Sequence, residues 1–361
     1  MTLLTDMTGA DIAAAVKAGK LTARGVTEAA LARTESLNPF LNAFTAITSE
    51  RALAKADAVD ADIAAGRDPG PLAGVPFAVK NLFDVKGLST LAGSKINRDL
   101  PPAGDDAALV KRMEAAGAVL TGALNMGEYA YDFTGQNAHD GASRNPHDLD
   151  HMSGGSSGGS GTATAAGMAS ITLGSDTNGS IRVPSSFCGL FGLKPTYGRL
   201  TRAGTFPFVS SLDHLGPIAR STADLALAYD AMQGADPDDP GCAGRQVEPT
   251  VAELAKGIGG LRIAKAGGYF ERSAMPEAFK AVDRIAKALG ADATLDIPDA
   301  KAARGAAYLI TMAEGASLHL DRMRTRHADY DPDVRDRLIA GAMIPGAWVT
   351  KAQKLRRIFR G

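Results

Sequence analysis

Cysteine is scarce in this chain of 361 residues, which contains only Cys188 and Cys242. Two cysteines so far apart form no disulfide framework, so we expect a protein of a reducing compartment. Both cysteines are then expected to be packing residues. The chain also has no excess of charge of one sign, because 39 basic and 40 acidic side chains leave a formal net charge of −1. Without a basic footprint for phosphate groups, direct binding of nucleic acid is not expected.

The N-terminus lacks the features of a targeting or membrane segment. Residues 1–15 include Asp6 and Asp11 and have no basic stretch followed by an apolar run, which a signal peptide or a membrane helix would require. We therefore predict a cytoplasmic protein without membrane contact. The composition, 45% hydrophobic and 22% charged, is typical of a globular protein with a large core.

Helices are predicted over most of residues 8–65. Thr8 and Asp11 have the spacing of a capping box, and a third helix begins at Ser49 and ends at Gly66. The segment 41–48 is rich in β-forming residues and predicts a strand between helices.

An apolar strand with a lysine inside it is predicted over residues 75–85. An ammonium group is costly to bury unless it is paired or neutral, so Lys80 needs a chemical explanation. A helix over 105–117 and a strand over 118–124 follow. This β-helix-β alternation favours a mostly parallel or mixed sheet.

The same alternation returns near the C-terminus. A strand is predicted over 261–266, a helix over 276–289 and a strand over 293–297, with helical segments to the end. We predict one α/β domain with a helical N-terminal part (1–68), a catalytic core (70–225) and a peripheral α/β part (226–361).

A stretch rich in glycine and serine begins at Ser153. Gly154, Ser156 and Gly158 match the nucleophile elbow of α/β-hydrolases. That elbow requires a strand directly before its serine, whereas residues 144–151 predict a loop. An α/β-hydrolase with Ser156 as nucleophile stays open as an alternative mechanism.

Three separated motifs together resemble the defining parts of the amidase signature family. They are Lys80 in its apolar strand, the run from Gly154 to Ser160 and the segment from Asp176 to Arg182. The resemblance is dense from about residue 72 to residue 224. It implies a single α/β/α domain with a central mixed β-sheet flanked by helices.

The resemblance also implies a serine amidohydrolase that needs no cofactor and no metal. Ser180 is the implied nucleophile, Ser156 the proton relay, preceded by a cis peptide bond, and Lys80 the base. A serine hydroxyl needs a neighbouring base, and a lysine can serve when burial keeps it neutral. The implied oxyanion hole consists of backbone N–H groups of Thr177, Asn178, Gly179 and Ser180.

Further residues receive supporting roles from the same resemblance. Most family members have glycine at the position of Asn178, and we expect asparagine to be tolerated there through left-handed backbone angles. Asp176 and Arg182 are expected to form a buried structural ion pair, and Ser157 to hydrogen-bond within the triad loop. The candidate substrate contacts are Met126, Tyr131, Gln136 and His139.

A metal site is not expected among the neighbouring histidines His139, His147 and His151, because no cysteine or glutamate stands at ligand spacing.

Residues 136–148 are most similar to the branch of the family that holds 1-carboxybiuret hydrolase and the glutaminase subunit of tRNA-dependent amidotransferases. This likeness implies hydrolysis of a small carboxamide and a small helical companion subunit. A homo-oligomer is a further expectation. A glutaminase subunit is one alternative, and a non-catalytic scaffold or inactive fragment is an alternative of another class. Family members usually continue beyond the point that matches Gly361, so we expect the usual C-terminal segment to be missing.

Overall fold

The computed structural model describes residues 3–360, and the chain divides into two compact units. The first unit extends to Ala252 and also includes Asp321–Asp336. The second unit contains Glu253–Leu320 and the residues from Arg337 onward. No helix among the described residues is long and apolar enough to span a membrane.

The helices and strands follow one another along the chain with these bounds. The α-helices are α1 Leu3–Asp6, α2 Gly9–Lys17, α3 Ala23–Leu41, α4 Ser49–Ala64, α5 Ala108–Ala115, α6 Gly158–Ala165, α7 Arg182–Phe187, α8 Thr222–Met232, α9 Pro276–Ala288, α10 Ala300–Arg326, α11 Pro332–Ala342 and α12 Gly346–Arg360. The β-strands are β1 Phe44–Ile47, β2 Pro76–Lys80, β3 Val119–Leu124, β4 Ile171–Ser175, β5 Phe191–Gly192, β6 Leu215–Ala219, β7 Ala264–Ala266 and β8 Ala293–Leu295.

A mixed six-stranded sheet forms the centre of the first unit, in the order β1-β3-β2-β4-β6-β5. β2 runs parallel to both β3 and β4, whereas the other three pairings are antiparallel. Every residue of β2, β3, β4 and β6 is buried, as expected for strands that helices cover. α4 packs on β3, α6 on β4 and α8 on β6. The predicted mixed α/β sheet is confirmed.

The helical N-terminal part also agrees with its sequence pattern. Thr8 and Asp11 form the capping box at the start of α2, and α4 begins at Ser49. β1 lies within the segment predicted as a strand between helices.

β2 is shorter than the predicted strand over residues 75–85. It ends at Lys80, because the next residues turn back: the N–H groups of Leu82 and Phe83 both donate to the Lys80 carbonyl, at 2.7 and 3.0 Å. Lys80 therefore occupies the carboxyl end of a buried strand rather than its middle.

The second unit contains a separate two-stranded sheet of β7 and β8, which run parallel. α9 connects them, so the β-helix-β alternation predicted for this region is confirmed, with strands of three residues each.

Candidate active site

The carboxyl ends of two parallel strands bring a lysine and two serines together. Lys80 ends β2 and Ser175 ends β4, and the two strands pair in parallel. Lys80 Nζ lies 2.6 Å from Ser156 Oγ and 2.9 Å from Ser175 Oγ. All three side chains are buried. The amine is therefore held between two hydroxyl groups and away from water.

Burial changes the acidity of this amine. It lowers the pKa of Lys80 from 10.5 to about 7, although the negative charges of Asp176, Asp213 and Asp132 act in the opposite direction. In the described part of the chain, Lys80 forms no ion pair with a carboxylate. A large fraction of the amine is thus neutral near pH 7, and a neutral amine can accept a proton from Ser156.

Close packing explains why the run that leads into α6 and forms its first turn is rich in glycine. The peptide bond between Gly155 and Ser156 is cis, as the family resemblance implies. A Cβ atom on Gly155 would overlap Asp132 Oδ2. A Cβ atom on Gly159 would lie 2.5 Å from the Ala43 carbonyl oxygen, closer than real side chains approach backbone.

Ser157 ties this run to the end of β4. Its Oγ donates to the Ser175 carbonyl at 3.2 Å and faces the Ser175 N–H at 3.3 Å. Ser175 itself is not predictable from local sequence, because a serine at the end of an apolar strand carries no motif. The parallel pairing of its strand with the lysine strand is the signal that identifies it.

The turn after β4 contains the predicted nucleophile. Ser180 is 3% exposed, and Gly179 has a φ of 148°, a conformation that favours glycine. Asn178 is not among the described residues with positive φ, so the left-handed angles expected for it are wrong. The Gly179 N–H donates to Asp176 Oδ1 at 2.8 Å, and its place among the oxyanion donors stays a prediction.

Asp176 organises this turn through its carboxylate. It accepts Arg182 Nε at 2.9 Å and Lys194 Nζ at 2.9 Å. Burial raises the pKa of Asp176, but the hydrogen bonds and charges of Arg182 and Lys194 outweigh that effect and hold this pKa well below its usual range. The ion pair is buried on one side only, because the Arg182 side chain is 55% exposed and that of Asp176 is 0% exposed.

The four candidate substrate contacts occupy different environments. Met126 and Tyr131 are buried, Gln136 is exposed and His139 is half-buried. The Tyr131 ring packs on Phe208 with 4.8 Å between centroids, and His139 Nε2 lies 3.1 Å from Glu128 Oε1. Their contact with substrate stays a prediction.

Phe133 borders the turn at Ser180, and sequence analysis missed it. Its ring lies 3.4 Å from the position that a Cβ atom of Gly179 would take, and its side chain is 38% exposed. A single aromatic residue in a loop has no periodic pattern that predicts such a place.

The other two histidines have partners of their own. His147 Nε2 lies 3.0 Å from the Cys188 carbonyl oxygen, and His151 Nδ1 lies 3.0 Å from Asp148. Across residues 3–360, no group of three or more histidine, cysteine, aspartate or glutamate side chains is arranged to hold a metal ion.

The backbone directly before Ser156 tests the alternative in which Ser156 is the nucleophile of an α/β-hydrolase. Residues 153–157 form bends and irregular backbone rather than a strand. The strand–turn–helix context that a nucleophile elbow requires is therefore missing at Ser156.

Comparison with known proteins identifies the family. The family model described as Amidase matches residues 25–358. The chain belongs to the amidase signature family. This amidase is 56% identical to AtzE, the subunit of 1-carboxybiuret hydrolase from Pseudomonas sp. (strain ADP), over 97% of this chain and 77% of that protein. It is 40% identical to a glutamyl-tRNA(Gln) amidotransferase subunit of Roseiflexus sp. (strain RS-1), over 100% of this chain and 79% of that protein.

Solved structures agree with this membership. One is described as a vestigial protein complex that reveals the evolutionary origins of an s-triazine catabolic enzyme; it superposes with a TM-score of 0.97 at 55% identity, over 98% of this chain and 78% of that chain. Another, described as an amidase, gives a TM-score of 0.84 at 31% identity, over 98% and 78% of the two chains. The protein is therefore an amidohydrolase with the fold of its family.

Proposed function

We propose that this amidase cleaves the C–N bond of a small carboxamide, giving a carboxylate and ammonia through an acyl-Ser180 intermediate. The observation that supports this most strongly is the 2.6 Å contact between Lys80 Nζ and Ser156 Oγ inside a fully buried site. A binding role alone would give no reason to bury a lysine beside two hydroxyl groups.

The reaction begins with removal of a proton from the nucleophile. Neutral Lys80 accepts the proton of Ser156, which takes the proton of Ser180 as the Ser180 oxygen attacks the amide carbonyl. Backbone N–H groups of the turn at residues 177–180 stabilise the resulting oxyanion. Ser156 then returns a proton to the leaving nitrogen, and ammonia departs. Water attacks the acyl group by the reverse proton path and releases the carboxylate.

The first substrate candidate is 1-carboxybiuret, because the relative at 56% identity bears that name. A small helical companion subunit belongs to the same proposal, supported by the related structure described as a protein complex. A homo-oligomer is proposed with it. Glutamine, with this chain as a glutaminase subunit, is the second candidate because the amidotransferase relative is 40% identical.

A serine-directed fluorophosphonate tests the nucleophile directly. The purified protein is treated with the probe, and the modified residue is located by peptide mass spectrometry. We expect the adduct on Ser180, and we expect it to disappear in Lys80→Ala. Lys111→Ala is the matched control, because the Lys111 side chain is 51% exposed and paired with Asp105.

Two results would contradict the proposal. An adduct on Ser156 that persists in Lys80→Ala would favour the elbow mechanism, and the absence of any adduct would favour a non-catalytic chain. With the adduct on Ser180 established, release of ammonia from 1-carboxybiuret and from glutamine decides between the two substrates.

A further inference from the structure

One loop holds the backbone on both sides of Ser156. In this relay loop, residues 126–139, the Gly127 N–H donates to the Ser156 carbonyl at 3.1 Å. The Phe133 carbonyl in turn accepts the Gly155 N–H at 2.9 Å. The relay loop is thus bonded to the backbone of the residue whose Oγ contacts Lys80.

The relay loop does not hold its shape by local backbone preference. Tyr129 and Ala130 have φ angles of 48° and 61°, which are unfavourable for residues other than glycine. Contacts from outside these two residues must therefore maintain the conformation.

The side chains of Glu128, His139 and Asp331 supply such contacts. Glu128 Oε1 accepts a hydrogen bond from His139 Nε2 at 3.1 Å, which joins the two ends of the relay loop. Glu128 Oε2 accepts the Asp331 N–H at 2.7 Å, and Asp331 Oδ2 accepts the Ala138 N–H at 2.9 Å. Glu128 is completely buried and also accepts the Ser94 hydroxyl at 2.7 Å.

We propose that Glu128 and His139 are positioning residues, which close the relay loop and thereby hold Ser156 in hydrogen-bond distance of Lys80. His139 then acts through Glu128 and not on the substrate. A buried carboxyl group that accepts three donors from three separate parts of the chain is suited to this purpose, since moving any one of them leaves a buried acceptor unsatisfied. The inference rests on the proposed function, because it assigns Ser156 the relay role.

The test compares His139→Gln and Glu128→Gln with unmodified protein in two assays. One assay measures kcat and KM for ammonia release from 1-carboxybiuret, and the other the rate at which the fluorophosphonate labels Ser180. We expect both kcat and the labelling rate to fall about 10- to 100-fold, since small displacements of a catalytic group cost this much, while KM stays within about twofold.

The matched controls come from an exposed pair of the same chemistry. His151 contacts Asp148 at 3.0 Å, with side chains 74% and 54% exposed, so His151→Gln and Asp148→Asn should leave both rates unchanged. The double variant Glu128→Gln/His139→Gln should lose little more than Glu128→Gln alone, because the two residues act as one unit. Circular dichroism of each variant separates misfolding from misplacement, and the partly exposed His139 site gives a folded variant if Glu128→Gln does not.

A rise in KM for His139→Gln with unchanged labelling would overturn the inference and make His139 a substrate contact. Unchanged kcat, KM and labelling would overturn it as well, and both results would leave the proposed function intact. Failure of the unmodified protein to label at Ser180 would overturn the proposed function, and the inference with it.

Discussion

Replacing Lys80 by methionine should abolish activity and remove a pH-dependent penalty from the stability of the fold. The side chain is fully buried, and burial lowers its pKa from 10.5 to about 7. Such a difference between the unfolded and the folded chain corresponds to about 5 kcal/mol of unfolding free energy. Methionine fills a similar volume without this penalty.

The sign of the pH dependence follows from proton uptake. Between pH 7 and pH 10.5 the unfolded chain holds a proton on Lys80 that the folded chain has lost. Raising the pH through this window therefore removes protons from the unfolded chain and stabilises the fold. Below pH 7 both states are protonated and the full penalty applies. Between pH 6 and pH 9 the unfolding free energy of the wild type should rise by about 3 kcal/mol relative to that of Lys80→Met.

Urea unfolding followed by circular dichroism at pH 6 and pH 9 measures this difference for the two proteins. Lys80→Met also removes the hydrogen-bond partner of the Ser156 and Ser175 hydroxyls. This loss lowers the unfolding free energy by about 1–3 kcal/mol per hydroxyl at every pH. A difference between the proteins that does not change with pH would refute the reasoning.

Three further outcomes follow from the same site. Because the pKa of Lys80 lies at about 7, amide hydrolysis should rise with pH through a midpoint near 7, and a pH–kcat profile measures it; a flat profile between pH 6 and pH 8 would contradict a lysine base. Ser175→Ala removes one acceptor of Lys80 and should lower kcat about tenfold, whereas Ser170→Ala, which removes a buried hydroxyl without a partner among the described residues, should leave kcat unchanged. Asp176→Asn removes the carboxylate that contacts two cations and should lower the unfolding free energy by about 1.5–3 kcal/mol, measured in urea; a loss no larger than that of Asp148→Asn would contradict its organising role.

Local pattern was sufficient for much of the fold and for singling out Lys80 as a residue that needs a chemical explanation. Apolar spacing and capping located the N-terminal helices, and a charged residue in an apolar strand drew attention to Lys80 before any geometry was known. The family resemblance added the two serines. These features depend on neighbours in sequence, so sequence reveals them.

Contacts between distant segments were not predictable in the same way. Ser175 reaches Lys80 only because β4 pairs beside β2, and Asp331 reaches Glu128 across 203 positions of sequence. The length of β2 was overestimated because hydrophobicity continues beyond Lys80 while the backbone turns. Asn178 was assigned left-handed backbone angles, whereas the positive φ belongs to its neighbour Gly179, because a departure from the family pattern identifies a position but not its conformation.

Two lysines near the same turn show why the partners, and not burial alone, decide which one can act as a base. Burial lowers the pKa of Lys194 as it does that of Lys80. Lys194, however, contacts the Asp176 carboxylate at 2.9 Å, and this negative charge favours the protonated form. Lys80 contacts two hydroxyls instead, which can accept from an ammonium group or donate to an amine. Asp176 binds Lys194 and Arg182 directly and acts on Lys80 only through its charge, so no carboxylate contact opposes the proposed proton exchange between Lys80 and Ser156.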